Sequence, residues 1–191
     1  DTGATGVLVV CADAQRRAEQ LRGRTGGFAL ISHETLAEEP YLAEGFAHIV
    51  VLDPPLGRDQ VAAYKVGSGF AYLAWGAAEV RFSQQMHERE YGLRDQLVAL
   101  YRSLRERGRV AGEELEHLLR GDGSQRRSAR LAGRLLRVFT ELELVSLDPE
   151  LPALALAAAQ PTELERSAAF QAYSEVYEEG KRYLRAATPN R

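Results

Sequence analysis

Apolar and polar positions follow two different rhythms along the chain. The first half breaks into short, almost unbroken apolar runs: GVLVVCA (Gly6 to Ala12), GFALIS (Gly27 to Ser32), HIVVLDP (from His48) and GFAYLAWG (from Gly69). GVLVVCA has the length and aliphatic content of a strand buried on both faces, and the other three runs read as further strands. Between them lie stretches of helical period. DAQRRAEQLRGR is capped by Asp13 and ends at Gly23, SHETLAEE is capped by Ser32, and GRDQVAAYKVG follows the third strand. Thr35 stands where a Glu would complete a capping box behind Ser32. Strands separated by short helices imply a parallel sheet with right-handed crossovers. Residues 1–76 are therefore expected to form a Rossmann-like α/β subdomain.

From Ala77 to Arg107 the period is helical, with Leu93, Leu97, Leu100, Tyr101 and Leu104 in phase and Gly92 as a break. Residues 77–108 read as linking helices. Beyond Arg109 come a short helix (VAGEELEHLL), a loop (RGDGSQ) and a longer helix (RRSARLAGRLLRVFTELEL). Two short strands, LVSLD and ALALAA, follow around a turn at Asp148-Pro149. Short helix, longer helix and β-hairpin in that order predict a winged helix-turn-helix. A last helix, TELERSAAFQAYSEVYEEGKRYLR, is expected to start at a Thr162 cap after Pro161, which makes residues 109–191 a winged-helix-like subdomain with a C-terminal helix. The fold class is α/β: a small Rossmann-like parallel sheet with flanking helices, then a winged helix-turn-helix and a C-terminal helix.

Composition narrows the class only a little. The chain has 191 residues, 45% apolar and 27% charged, enough for one large or two small domains with real cores. No apolar run approaches the ~18 residues of a membrane span, and no basic-then-apolar leader is present. A single cysteine, Cys11, rules out a disulfide framework and a thiolate metal site. This composition points to a cytoplasmic protein without a membrane partner. The abrupt opening, DTGATG without an initiator Met, suggests a fragment of a larger protein.

Charge changes the picture more. Net charge is −4 over residues 1–100, +5 over 102–137 and −4 over 138–191, so only the middle segment has the sign of a nucleic-acid or acidic-peptide contact. Its centre is the arginine helix. At 100° per residue Arg126, Arg130, Arg134 and Arg137 share one face. Leu131, Leu135, Val138 and Leu142 centre about 115° away. One side should pack inward while the other presents guanidinium groups, which offer bidentate contacts to phosphate or carboxylate. Arg126, Arg127, Arg130, Arg134 and Arg137 are the candidate residues for DNA or acidic-peptide binding.

Other candidate chemistry is weaker. Asp53 ends an apolar strand before Pro54 and Pro55, where motor ATPases place a metal-holding carboxylate. That carboxylate works with a phosphate loop, and the first strand here runs into CADAQRR with neither glycine nor lysine. Asp53 is expected to terminate a strand. GSG at Gly67 to Gly69 precedes a strand and does not fit a dinucleotide fingerprint. His33, His48, His87 and His117 have no metal-ligand spacing. Ser32-His33-Glu34 are adjacent and cannot form a relay. No catalytic residue, metal or cofactor is expected in the chain. Tyr64, Phe70, Tyr72, Trp75, Tyr91 and Tyr101 form an aromatic set, mostly core, of which an exposed subset could hold a peptide.

Four segments in order carry a family resemblance: HIVVLDPPL, QLVALYRSLR, RVFTELELV and LERSAAFQAY. They resemble the C-terminal region of the bacterial single-stranded-DNA-specific exonuclease RecJ, over nearly the whole chain from Val7 to Leu184. Phe170 stands where that family usually has Tyr, and His87-Glu88-Arg89-Glu90 replaces its Pro-Thr/Ser-Arg-Glu entry. The resemblance implies an accessory module of a DNA-repair exonuclease. Catalysis and manganese or magnesium would belong to upstream nuclease domains, whose motifs this chain lacks. Implied partners are the acidic-apolar tail of single-stranded-DNA-binding protein or a helicase, with single-stranded DNA as a further ligand. The alternative is the second RecA-like lobe of an ATP-dependent DNA helicase followed by a winged helix, although the chain lacks the Gln-x-x-Gly-Arg-x-Gly-Arg motif of such a lobe.

Overall fold

The computed structural model describes residues 5–23, 26–66, 69–121, 126–148, 151–157 and 162–187. The chain divides into two compact units, Asp1–Glu88 with Glu178–Arg191, and Arg89–Tyr177.

The first unit is α/β. Four parallel strands, β1 (Val7–Cys11), β2 (Phe28–Ser32), β3 (His48–Val51) and β4 (Phe70–Leu73), lie in the order β2-β1-β3-β4. This is consistent with the Rossmann-like core that the apolar runs predict. Helices α1 (Ala14–Leu21), α2 (His33–Glu38) and α3 (Arg58–Ala63) connect them, with a 3-10 turn at Pro40–Ala43. Both expected caps are present: Asp13 accepts from Arg16 N–H and Ser32 from Thr35 N–H. Central β1 is buried on both faces, and Leu8, Val10, Leu36, Ile49, Val51 and Tyr64 form one core cluster. The edge strand β4 is exposed along its length. Its entry depends on Gly69, where a Cβ would lie 2.7 Å from Phe46 O and 3.0 Å from Ala47 O.

Helix α4 (Ala77–Tyr91) carries the chain toward the second unit, and Gly92 breaks it from α5 (Leu93–Arg107) as its position predicts. Leu93, Leu97, Leu100 and Leu104 of α5 join the second unit's core. Then follow β5 (Arg109–Ala111), α6 (Gly112–Arg120), α7 (Ala129–Glu141), β6 (Val145–Asp148) and β7 (Ala153–Leu156). The three strands form an antiparallel sheet in the order β5-β7-β6. Residues 122–125 of the expected loop, and Pro149 of the expected turn, lie outside the described residues.

Three local expectations change. The short strand β5 has no pattern of its own: three residues, RVA, with only Val110 buried. Helix α7 starts at Ala129, because Ser128 accepts from Leu131 N–H as N-cap. The last helix, α8 (Ala168–Ala186), starts six residues after Thr162. Its first turn is satisfied by Ser167, which accepts from Phe170 N–H, and by Glu141, which accepts from Ala169 N–H. A 3-10 turn at Leu164–Arg166 occupies the intervening chain. Within the first unit, α8 approaches α4 at Gly180, where a Cβ would lie 2.5 Å from the buried His87 ring.

Gly69→Ala is expected to destabilise the first unit by about 1–3 kcal/mol, because the added methyl meets backbone that cannot rotate away. A lowered urea midpoint at unchanged slope would show it, and Gly26→Ala, with open space around it, is the matched control.

Candidate functional site

Three places hold chemistry-bearing side chains: the carboxyl edge of the parallel sheet, helix α7, and a groove along α5.

Strand order β2-β1-β3-β4 puts the switch point between β1 and β3, where open α/β sheets bind ligands beyond the strands' carboxyl ends. Asp53 stands there with no exposure to solvent. One carboxylate oxygen accepts from Ala12 N–H at 3.0 Å and from Arg17 Nε at 3.1 Å, and the other accepts from Arg17 Nη2. Arg17 in turn lies over the Phe82 ring, 3.9 Å from its centroid. The crevice is thus filled by the protein's own guanidinium. Asp53 does end the strand, as its sequence position suggests, and it also ties α1, β1 and β3 together.

His33 completes this edge. Its Nε2 faces the Asp53 carbonyl at 2.9 Å, and its Nδ1 faces the Tyr64 hydroxyl at 2.6 Å. A carbonyl can only accept, so Nε2 carries the proton and Nδ1 accepts from Tyr64. Burial pushes His33 down to about 4 and Tyr64 upward, so both stay neutral. Cys11, also buried, is pushed up to about 12 and is not a thiolate at neutral pH. Among the described residues no group of three or more His, Cys, Asp or Glu is placed to hold a metal ion.

The five candidate arginines do not share one face. Arg126 and Arg127 precede the α7 N-cap. Arg127 turns inward: its Nη1 donates to the carbonyls of Leu118 and Leu119 at 3.1 and 3.3 Å, capping the end of α6. Arg134 is buried. It donates to Glu90 Oε2 at 2.8 Å and lies 4.2 Å from the Tyr91 ring centroid, while Glu90 also accepts from the Ser128 hydroxyl. The expectation of a common solvent-facing row is corrected here. Arg134 lies about 50° from the midpoint of Arg130 and Arg137 on the helix, turned toward the apolar side, where Glu90 is within reach. Arg126, Arg130 and Arg137 remain exposed, with Arg137 paired to Glu141 at 3.2 Å.

A groove of about 860 Å³ in the second unit escaped the sequence reading. Leu97, Val98 and Tyr101 of α5, with Phe139 and Leu144, form its apolar lining, and Arg94, Arg102 and Arg105 stand along α5 beside them. The opposite wall is Thr162–Glu165, whose Glu165 pairs with Arg94. Arg102 and Arg105 were visible as part of the basic middle segment, whereas Arg94 falls in the net-negative stretch before it. Their partner wall, some 60 residues away in sequence, was not.

No family model, curated protein or solved structure matches the chain.

Removing the Asp53 charge should expose how much the edge depends on it: Asp53→Ala leaves the half-buried Arg17 and Ala12 N–H without their acceptor and is expected to cost about 3 kcal/mol by urea unfolding. Stability should also fall with acid. The unfolded chain binds a proton at His33 below its ordinary value near 6.5, whereas the folded chain refuses it until about 4. The contribution is therefore complete above pH 6.5 and lost as pH falls, by roughly 2 kcal/mol between neutral pH and pH 5. Comparing unfolding midpoints of the wild type and His33→Gln over that range tests this; equal slopes would remove the assignment to His33.

Proposed function

We propose that the chain is a non-catalytic accessory module of a RecJ-like 5′–3′ single-stranded-DNA exonuclease. In this reading it docks an acidic protein segment with apolar side chains, as the tail of single-stranded-DNA-binding protein or an acidic stretch of a helicase would supply. The α5 groove carries the proposal. Its apolar lining can desolvate one or two large side chains, and Arg102 and Arg105, both exposed, can meet carboxylates beside it. Arg94 is already engaged by Glu165, so an incoming carboxylate would have to exchange with that exposed pair, which is worth little.

The second unit is read as a winged helix-turn-helix. The element order α5-β5-α6-α7-β6-β7 and the sheet order β5-β7-β6 support it. The helicase-lobe alternative is disfavoured by the sheet edge: Asp53 would have to leave Arg17 and become exposed before it could hold a nucleotide's metal. Manganese or magnesium chemistry belongs, on the favoured reading, to upstream nuclease domains, and the setting is cytoplasmic. Among the described residues no helix is long and apolar enough to cross a membrane.

A fluorescein-labelled acidic peptide with a C-terminal aromatic residue should bind the chain in an anisotropy titration, more weakly at higher salt. Arg102→Ala with Arg105→Ala is expected to weaken it roughly tenfold or more, with an unchanged thermal midpoint because both side chains are exposed. Val98→Asp should weaken it comparably by placing a charge on the apolar lining. Binding that ignores both changes would refute the groove as the docking site.

A further inference from the structure

Strand β4 ends the parallel sheet, and among the described residues its outer edge is unpaired. Neither of its faces is covered. Phe70, Tyr72 and Leu73 are 70, 50 and 66% exposed, and Ala71 is exposed between them. Sheet edges are ordinarily blunted by a charge, a proline or a bulge. Here no charged residue and no proline occurs between Val66 and Ala78. The opposite edge strand, β2, is mostly half-buried, so the two edges of the sheet are not alike.

Backbone directions fix what the free edge offers. Phe70 N–H donates to Ala47 O at 3.1 Å, and Ala74 N–H donates to Val51 O at 2.9 Å. Peptide groups alternate between the two sides of a paired strand, so Ala71 and Leu73 direct their N–H and C=O away from β3. Side chains alternate between faces in the same way. Phe70 and Tyr72 stand on the face of His48, with ring centroids 6.5 and 5.8 Å from the imidazole, and Ala71 and Leu73 stand on the other.

We propose that β4 pairs antiparallel with β4 of a second copy of this chain, about a two-fold axis that sets Ala71 opposite Ala71. An axis perpendicular to the sheet keeps each face on its own side, so only positions of the same parity can oppose. With Ala71 on the axis, the two alanines exchange hydrogen bonds through groups that already point outward. Phe70 then opposes Tyr72 of the second copy, twice, at the non-hydrogen-bonded positions where side chains approach most closely. Aromatic cross-strand pairs stabilise such positions. Charge also selects a second copy: the strand and its flanks carry none, so self-pairing sets no like charges together and a charged partner finds no counterpart. Because the same edge meets itself, the contact closes at two copies. The three large side chains offer on the order of 350 Å² per copy, below the ~800 Å² per partner of a standard interface. The dimer is therefore weak, half-formed at roughly 10–300 µM. It does not rest on peptide docking in the α5 groove.

Sedimentation velocity of the full chain over that concentration range should show the mass rising from monomer toward dimer. Ala71→Lys and Ala71→Glu each set like charges opposite on the axis, and each should stay monomeric while keeping the wild-type circular dichroism spectrum. Mixed in equal amounts, the two variants should associate again, which only a contact of residue 71 with residue 71 produces. A gentler substitution reads the same register. Antiparallel hydrogen-bonded residues have Cα atoms about 5.5 Å apart, within the span of a disulfide, so Ala71→Cys should form a covalent dimer on air oxidation. Leu73→Cys, some 13 Å from its own copy, should not, and the wild-type Cys11 is buried. A chain that stays monomeric throughout would overturn the proposal and leave the edge to another protein's strand. Dimerisation of Ala71→Lys at the wild-type concentration would overturn it too. So would a mixture of the charged variants that stays monomeric, or Leu73→Cys cross-linking as readily as Ala71→Cys.

Discussion

A carboxylate with no exposure to solvent must be matched by a positive charge and by hydrogen-bond donors, or the unit that contains it does not fold. Asp53 imposes this on the first unit. Arg17 has to reach it from α1, the end of β1 has to turn so that Ala12 N–H points at it, and Phe82 has to cover the guanidinium. His33 and Tyr64 add a neutral hydrogen-bonded pair on the other side of the same loop, through the Asp53 carbonyl. The place where a parallel sheet of this order would receive a ligand is thereby occupied from within.

The second unit uses an acid in the same way and leaves its basic surface behind. Glu90 holds Ser128 and Arg134, which fixes the start and the flank of α7. Two of the five candidate arginines, Arg127 and Arg134, thus serve helix capping and packing, and the other three are exposed. The groove along α5 arises separately, from the 3-10 turn at Leu164–Arg166 standing off the apolar side of α5. Its chemistry, arginines beside an apolar lining, suits an acidic and apolar segment. The exposed side of α7 carries Arg130, Gly133, Arg137 and Glu141, with Arg137 paired to Glu141.

Much of the fold was legible along the chain. The strand runs at Val7–Cys11, Phe28–Ser32, His48–Val51 and Phe70–Leu73, the caps Asp13 and Ser32, and the break at Gly92 follow from continuous apolar runs, from a glycine interrupting a 3.6-residue period and from bonds closing within three residues. Those signals are local, so sequence alone determines them. Tertiary structure decided the rest. It alone made β5 a strand, because three residues acquire that role only by pairing with β7. It alone moved the last cap from Thr162 to Ser167, where Glu141 could complete the turn. It also sorted the arginines, since Arg17 and Arg134 find Asp53 and Glu90 at separations of 36 and 44 residues. A charged side chain on a helix looks the same in sequence whether it meets water or a buried acid, and only the packing of distant segments chooses between them.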